Sequence, residues 1–318
     1  MTANSTIKIL PRLGPLVEGY DGLILDLWGV IHDGRTPYPG VSDTLGRLKD
    51  AGKKVVMLSN APRRAAAVID AMTEMGIDRG LYTDVLSSGE LSWHALKNRS
   101  EGALGELGDV CLHVGPDRDL GLMDGLGLEI IKEPVAGAFI LNTGPWQDDE
   151  QVSDYEPLLS KAASLGLPMV CANPDIEVIR AGNRIICAGS LAHRYAALKG
   201  TVHYFGKPYA LAYEACLALM DMSDKSRILA VGDSLKTDIL GACNAGVDSV
   251  LVTSGIHGEE LGVGYGETVD GAVLETLHWF KVSAYLDLPS LWGAAFRDSN
   301  GNPYRLAIRW NGANNFFQ

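Results

Sequence analysis

The stretch Leu23-Ile-Leu-Asp-Leu-Trp-Gly-Val30 places Asp26 near the end of an apolar run. The run is hydrophobic at consecutive positions, which is typical of a strand covered by helices on both faces of a parallel sheet. A carboxylate there costs free energy unless it is hydrogen-bonded, paired with a cation or bound to a metal. Asp26 is therefore the first candidate functional residue, although a lone aspartate could also cap a turn or a helix.

Short apolar runs alternate with helix-patterned segments from about residue 20 onward. The predicted strands are 23–27, 55–59, 84–87, 110–114, 138–141, 169–172, 201–205, 227–232 and 249–253. Predicted helices between them include 42–51, 63–75, 154–165, 208–220 and 237–245. The alternation predicts an α/β fold with a Rossmann-like, doubly wound parallel sheet.

The chain has 318 residues, enough for two domains. The stretch between Ser59 and Lys207 has strands and helices of its own and is too long for a loop, so it predicts an inserted α/β cap domain. The predicted division is a core in two parts (1–90 and 191–285), a cap (91–190) and a C-terminal extension packed on the core (286–318).

Four polar residues stand at places where parallel strands end. Asp26, Ser59 and Asp233 lie at or just after the end of an apolar run, and Lys207 follows a weaker run. Ligands of open α/β sheets bind beyond the carboxyl ends of the strands. A single sheet could therefore bring these four side chains to one edge.

The fragment Gly232-Asp-Ser-Leu-Lys-Thr-Asp238 carries two carboxylates across a predicted strand-to-helix turn. Both could converge on one hard cation, since Mg²⁺ prefers a few carboxylates plus waters. The alternative is a helix N-cap formed by Ser234 or Asp238, and the two interpretations are compatible. The same fragment contains the Gly-Asp-Ser-Leu motif of a lipase family, but no Asp-x-x-His follows, and we reject that interpretation.

Lys207, in a Gly-Lys-Pro tripeptide, could neutralise a phosphate, although the tripeptide alone indicates only a turn before a helix. The spacing and the following proline exclude a Walker phosphate loop. Ser59 and Asn60 offer hydroxyl and backbone donors at a predicted helix start. Arg63 and Arg64 follow them, and a solvated helix face is the preferred interpretation for both.

Composition excludes several classes of protein. The net charge is −12 and no run of Lys or Arg occurs, which argues against sequence-independent nucleic-acid binding. The five cysteines form no Cys-x-x-Cys pair, so neither a zinc site nor a disulfide framework is expected. No apolar segment is long enough for a signal peptide or a membrane span. These features predict a cytoplasmic protein without a membrane partner.

The segments that carry Asp26, Ser59, Lys207 and the Asp233–Asp238 pair, in this order, resemble the haloacid dehalogenase superfamily over about residues 20–90 and 190–285. The insertion between the serine and the lysine, with Ala172-Asn-Pro-Asp175 inside it, resembles the class IIA branch. That branch contains nitrophenyl, nucleotide and sugar-phosphate phosphatases with an α/β cap. The resemblance implies a small phosphorylated substrate and is compatible with a homodimer.

The resemblance also implies roles for individual residues. Asp26 would attack phosphorus and form an aspartyl-phosphate. Mg²⁺ would be the cofactor, held by Asp26, the backbone carbonyl of Trp28 and Asp233, with Asp238 in support. Ser59 and Lys207 would bind the transferring phosphoryl group. The predicted substrate-binding residues are Asn60, Asn173 and Asp175.

Trp28 departs from the family pattern, because phosphatases of this family carry a second aspartate two residues after the nucleophile. That aspartate protonates the leaving oxygen and later activates water, and an indole can do neither. Loss of a general acid/base typically slows a reaction 10²–10⁴-fold. His32 or Asp33, just downstream, is a candidate replacement for the missing acid.

The sequence therefore predicts a Mg²⁺-dependent phosphatase with a weakened or relocated general acid/base. The alternative is a catalytically impaired protein of the same fold that binds phosphorylated metabolites or serves a regulatory role. A 2-haloacid dehalogenase is a third interpretation. Dehalogenases need no metal and usually lack the residue that corresponds to Asp233, so the retained acidic pair favours phosphoryl chemistry.

Overall fold

The structure is a computed structural model, and it describes residues 8–10, 14–99, 104–180, 183–263 and 306–308. The described residues form two compact units. The first lies within Met1–Leu58, Ile69–Val85 and Pro208–Gln318, and the second within Ser59–Val68 and Leu86–Lys207.

Fourteen strands lie among the described residues. They are β1 (Lys8–Leu10), β2 (Gly22–Leu25), β3 (Lys54–Ser59), β4 (Asp84–Ser87), β5 (Val110–Val114), β6 (Glu129–Ile131), β7 (Phe139–Asn142), β8 (Met169–Cys171), β9 (Glu177–Arg180), β10 (Asn183–Ile186), β11 (Val202–Tyr204), β12 (Ile228–Gly232), β13 (Asp248–Val252) and β14 (Leu306–Ile308).

Nine α-helices lie in the same described ranges. They are α1 (Gly14–Val17), α2 (Val41–Asp50), α3 (Ala65–Glu74), α4 (Ser88–Lys97), α5 (Glu156–Ser164), α6 (Ala188–Ala197), α7 (Ala210–Met220), α8 (Leu240–Ala245) and α9 (Gly258–Leu261). A π-helical turn, Leu235–Ile239, leads directly into α8.

The first unit is built on a seven-stranded sheet with the order β1-β14-β13-β12-β2-β3-β4. β2 is central and pairs in parallel with β12 on one side and β3 on the other. Every residue of β2 and β12 is buried. This burial explains their uninterrupted apolar sequences, since neither face of a central parallel strand meets water.

The second unit has a five-stranded parallel sheet with the order β11-β8-β7-β5-β6 and a separate antiparallel pair, β9 with β10. Alternate residues of its central strands enter two different hydrophobic clusters. Leu112 and Ile140 pack with Tyr155 and Tyr195 in one cluster, whereas Phe139 belongs to the other. Because successive strand residues point to opposite faces, the sheet is covered on both sides.

The predicted α/β class with parallel sheets flanked by helices is confirmed. The predicted division of the chain into core, cap and extension stays a prediction. Most of α6 and all of β11 fall in the predicted core but lie in the second unit. Residues 264–285 and most of the predicted extension lie outside the described residues, and in the extension the structure describes only β14, which pairs with β13. No helix in the described ranges is both long and apolar enough to cross a membrane.

Candidate active site

Three buried carboxylates converge in the first unit. One oxygen from each of Asp26, Asp233 and Asp238 lies within 4.8 Å of the other two. β2 pairs with β12 so that Leu25 is opposite Val231, and the Asp26 N–H donates to the Val231 carbonyl at 2.9 Å. This register places the residues after both strands side by side, as the sequence predicted for Asp26 and Asp233. The expectation that one sheet also carries Lys207 is wrong, because Lys207 follows β11, a strand of the five-stranded sheet.

The donor set suits a hard divalent cation. Three carboxylates this close repel one another unless a proton or a cation compensates their charge. Oxygen-only ligands in this number are typical of Mg²⁺ or Ca²⁺ sites that keep several waters. Asp26, Asp233 and Asp238 are at most 8% exposed, so solvent screens little of the repulsion.

Glycines make room for these carboxylates. A Cβ at Gly29 or at Gly255 would lie 2.1 Å from the Asp233 Oδ2, and a Cβ at Gly232 would lie 2.1 Å from the Asp238 Cγ. Gly29 also has a φ of +80°, which side-chain-bearing residues rarely adopt. Any larger residue at these positions would displace a carboxylate of the cluster.

Hydrogen bonds fix the turn that carries Asp233 and Asp238. The Ser234 Oγ accepts from the Thr237 N–H at 3.3 Å, so the predicted N-cap is confirmed. The Asp238 Oδ2 accepts from the Ser234 N–H at 3.1 Å, and the Asp233 Oδ2 accepts from the Ile256 N–H at 2.8 Å. The cap and the carboxylate cluster therefore belong to one structure.

Trp28 lies in the loop that follows β2. A Cβ added at Gly34 would meet its ring at 2.2 Å, and the His32 ring packs edge-on with a centroid distance of 5.8 Å. The indole therefore packs within this loop. The position two residues after Asp26 therefore holds no titratable group.

The two candidate replacement acids differ in their surroundings. His32 is buried, burial lowers its pKa, and its Nδ1 accepts from the Gly34 N–H at 3.1 Å. Asp33 accepts from the Thr36 N–H at 2.8 Å and the Arg35 N–H at 2.9 Å, and these bonds lower its pKa. Asp33 is therefore held in the ionised form, which cannot donate a proton.

Asn60 organises the site residues of the second unit. Its Nδ2 donates to the Asp175 Oδ1 at 2.8 Å and to the Lys207 carbonyl at 3.1 Å, and its Oδ1 accepts from the Lys207 N–H at 2.8 Å. Gly206 is required beside it, because a Cβ there would lie 2.4 Å from the Asn60 Oδ1. Both side-chain donor hydrogens of Asn60 are thus engaged within the protein.

The other predicted residues of this unit take local positions. Ser59 ends β3, and its Oγ accepts from the Ala61 N–H at 3.2 Å. The Asn173 Oδ1 accepts from the Asp175 N–H at 3.0 Å and so closes the Asn-Pro-Asp turn. Asn60 and Asp175 are brought into direct contact, and substrate binding by Asn60, Asn173 and Asp175 stays a prediction.

Arg64 does not lie on a solvated face. Its guanidinium donates to both carboxylate oxygens of Glu90, at 2.8 and 2.9 Å, and stacks 3.8 Å from the Trp93 ring. Arg63, in contrast, is 44% exposed and lies 3.9 Å from Asp119. The expectation of a solvated face is therefore wrong for Arg64, because a glutamate distant in sequence provides a bidentate partner.

The loop after β13 also belongs to the site, although no sequence motif pointed to it. Gly255, Ile256 and His257 contact the Asp233–Asp238 turn, and the Leu235 N–H donates to the His257 Nε2 at 3.3 Å. The available signal was a Ser-Gly pair directly after a predicted strand, which places backbone N–H groups at the same sheet edge.

Comparisons with known proteins identify the family. Residues 23–129 match the profile of haloacid dehalogenase-like hydrolases, and residues 204–279 match a second HAD-like hydrolase profile. A solved hydrolase of the haloacid dehalogenase-like family from Brucella suis 1330 is 30% identical, with a TM-score of 0.73 over 94% of this chain and 98% of that chain. The chain belongs to the haloacid dehalogenase-like family.

Other members of the haloacid dehalogenase-like family bear phosphatase names. A 4-nitrophenylphosphatase of Schizosaccharomyces pombe is 25% identical over 77% of this chain and 87% of its own length. A glycerol phosphate phosphatase from Mycobacterium tuberculosis, solved in complex with calcium, is 25% identical with a TM-score of 0.57 over 76% of this chain and 68% of that chain. The resemblance to the class IIA branch is confirmed.

Proposed function

We propose that this protein is a Mg²⁺-dependent phosphatase that hydrolyses a small phosphorylated metabolite through an aspartyl-phosphate on Asp26. The observation that carries the proposal is the buried cluster of Asp26, Asp233 and Asp238, whose carboxylate oxygens lie within 4.8 Å of one another. Relatives named 4-nitrophenylphosphatase, chronophin and acid sugar phosphatase support phosphate-ester hydrolysis.

The proposed reaction uses two displacements at phosphorus. An Asp26 oxygen attacks the phosphorus atom, the bond to the leaving oxygen breaks, and an aspartyl-phosphate forms. Water then attacks the same phosphorus atom, which releases phosphate and a proton and returns Asp26 to its carboxylate form. The Ser59 hydroxyl and the Lys207 ammonium bind the phosphoryl oxygens in this proposal.

The cation-binding residues would be Asp26, Asp233 and the Trp28 carbonyl, with Asp238 in support. A bound divalent cation would supply positive charge that offsets the negative charge of the phosphoryl oxygens and of the carboxylates. Asp26 can approach an anionic phosphate only when that charge is compensated. The proposal therefore requires the carboxylate cluster and the nucleophile to act together.

Trp28 limits the leaving group. No acid stands two residues after Asp26, so the leaving oxygen departs without a proton from that position. We therefore propose that the preferred substrates have leaving groups of low pKa, such as aryl phosphates, acyl phosphates or anhydrides. Esters of ordinary sugar hydroxyls should react more slowly by about 10²–10⁴-fold.

The test is hydrolysis of p-nitrophenyl phosphate and of an unactivated sugar phosphate, with Mg²⁺ and with a chelator. We expect Mg²⁺-dependent turnover of the aryl ester, slow turnover of the sugar ester, and loss of both in D26N. Activity that survives D26N would overturn the nucleophile, and equal rates on the two esters would overturn the leaving-group argument.

Trp28 also supports a second candidate, a protein that binds a phosphorylated metabolite without turning it over. This candidate predicts tight binding of phosphometabolites by calorimetry and no phosphate release from either ester.

Cytoplasmic location and a homodimer remain predictions from the sequence. Halide release from a 2-haloacid without metal would instead support the dehalogenase interpretation.

A further inference from the structure

The loop after β13 contacts the carboxylate-bearing turn at two points. The Ile256 N–H donates to the Asp233 Oδ2 at 2.8 Å. The next residue, His257, accepts at its Nε2 from the Leu235 N–H at 3.3 Å. These two bonds run in opposite directions between the same pair of segments and close a ring that contains Asp233.

The Leu235 N–H needs a partner from outside its own helix. Leu235 is the first residue of the helical turn after Asp233, and first-turn N–H groups have no intrahelical acceptor. Ser234 uses its hydroxyl on Thr237 instead. Because His257 is 5% exposed and Leu235 is 7% exposed, solvent has little access to their hydrogen bond.

Glu260 fixes the proton position on His257. The His257 Nδ1 lies 2.9 Å from the Glu260 Oε2. Since the Nε2 accepts from a backbone N–H, it carries no proton, and the Nδ1 carries the proton that is donated to the carboxylate. Without Glu260 the ring could adopt the other tautomer, which would set two N–H groups against each other.

The loop has little room for any other arrangement. A Cβ at Gly255 would lie within 2.1 Å of the Asp233 Oδ2, so backbone and carboxylate are in close contact. Movement of His257 away from Leu235 would carry Ile256 with it. The Asp233 Oδ2 would then lose the N–H that orients it.

We propose that His257 is a positioning residue for the divalent-cation site, with Glu260 as the group that selects its tautomer. His257 holds the loop after β13 against the turn, and the Ile256 N–H then sets the direction of the Asp233 carboxylate. The inference rests on the proposed cation site and assigns His257 no contact with substrate. Loss of an outer hydrogen bond to a metal ligand typically weakens metal affinity 10–100-fold.

The experiment measures Mg²⁺ binding by calorimetry in the full chain, together with melting temperature in a chelator. H257A removes the acceptor, and we expect its Mg²⁺ dissociation constant to rise about 10–100-fold. H257Q presents an oxygen to Leu235 and an N–H to Glu260, so it should recover most of the affinity. E260A should give an intermediate loss. H94A, which removes an exposed histidine that also pairs with a glutamate, is the matched control and should bind like wild type.

The outcomes separate this inference from the proposed cation site. Wild type that binds no Mg²⁺, or a D233N variant that binds as well as wild type, would overturn both. Normal binding in wild type, loss in D233N and unchanged affinity in H257A would overturn the role of His257 alone. If H257A has a lowered melting temperature in chelator, the Mg²⁺ affinities of H257Q and E260A test the role of His257 instead. Equal large losses of Mg²⁺ affinity in both variants would overturn the assignment of the His257 tautomer to Glu260.

Discussion

Trp28 stands where the family resemblance leads us to expect a second aspartate. Its ring packs beside Gly34 and His32, and it lies two positions after Asp26. The sequence alone shows that an indole and not an acid follows Asp26 by two positions, because this spacing is local. Its packing was not readable, because it depends on the Gly34 backbone at a φ of +91°.

Restoring an acid at this position should restore proton transfer. In W28D we expect kcat on an unactivated sugar phosphate to rise by up to about 10²–10⁴-fold, with a much smaller change on p-nitrophenyl phosphate. Steady-state kinetics on both esters measure this difference. W28N, which removes the same ring without adding an acid, should stay at the wild-type rate. Equal gains in W28D and W28N would show that space, and not proton transfer, limits turnover.

At the scale of elements, Asn60 joins three segments of the second unit. It follows β3, and its amide binds Asp175, which follows β8, and the backbone of Lys207, which follows β11. The sequence predicted Asn60 as a substrate-binding residue, at the start of a predicted helix. In the structure both side-chain donor hydrogens of Asn60 bind protein groups. This indicates that Asn60 holds the Lys207 backbone in place.

Removal of this amide should weaken phosphate binding indirectly. In N60A we expect the inhibition constant of inorganic phosphate to rise about 10–100-fold. A misplaced Lys207 would lose its hydrogen bond to the phosphate, and hydrogen bonds to charged groups contribute about 1.5–3 kcal/mol. Competitive inhibition of p-nitrophenyl phosphate hydrolysis measures it. S92A, which removes another buried hydrogen-bonding side chain of this unit, is the control for general destabilisation. Mg²⁺ affinity in N60A should remain at the wild-type value, and unchanged phosphate inhibition would contradict the assigned role.

Elements that the sequence predicted are those with strong local patterns. β2, β3, β5, β7 and β12 are predicted because their apolar runs are continuous. β6 and the β9–β10 pair were missed, since they are only three or four residues long and show neither a continuous apolar run nor clean alternation. Their pairing depends on neighbouring strands and not on their own composition.

At the scale of the whole molecule, partly buried titratable groups contribute to the pH dependence of stability. Burial lowers the pKa of His113 from its ordinary 6.5, although Asp117 acts in the opposite direction, and its Nε2 lies 3.0 Å from the Thr143 Oγ1. The unfolded chain therefore binds more protons than the folded chain just below pH 6.5. Stability contributed by neutral His113 is present above that pH and decreases as the pH falls through this window.

We expect the melting temperature of wild type to decrease on acidification from about pH 7 to about pH 5.5 more than that of H113Q. The glutamine side chain of this variant keeps a hydrogen-bonding group for Thr143 and removes the titration. Thermal melts of both proteins across this range measure the difference. H94Q, at an exposed histidine, should follow wild type. Parallel curves for wild type and H113Q would exclude His113 as a source of acid sensitivity.

Local pattern in the chain was sufficient for the α/β class and for the position of Asp26 and Asp233 at strand ends. Hydrophobic periodicity, and a polar residue at the end of an apolar run, are properties of a few neighbouring residues. They can therefore be recognised without knowledge of the fold. Tertiary structure decided which carboxylates meet. The β2–β12 register brings distant segments together, and the loop that carries Ile256 and His257 comes within hydrogen-bonding distance of the Asp233–Asp238 turn. Three glycines leave the space that these contacts need. These contacts depend on packing between segments far apart in the chain, so no local pattern encodes them.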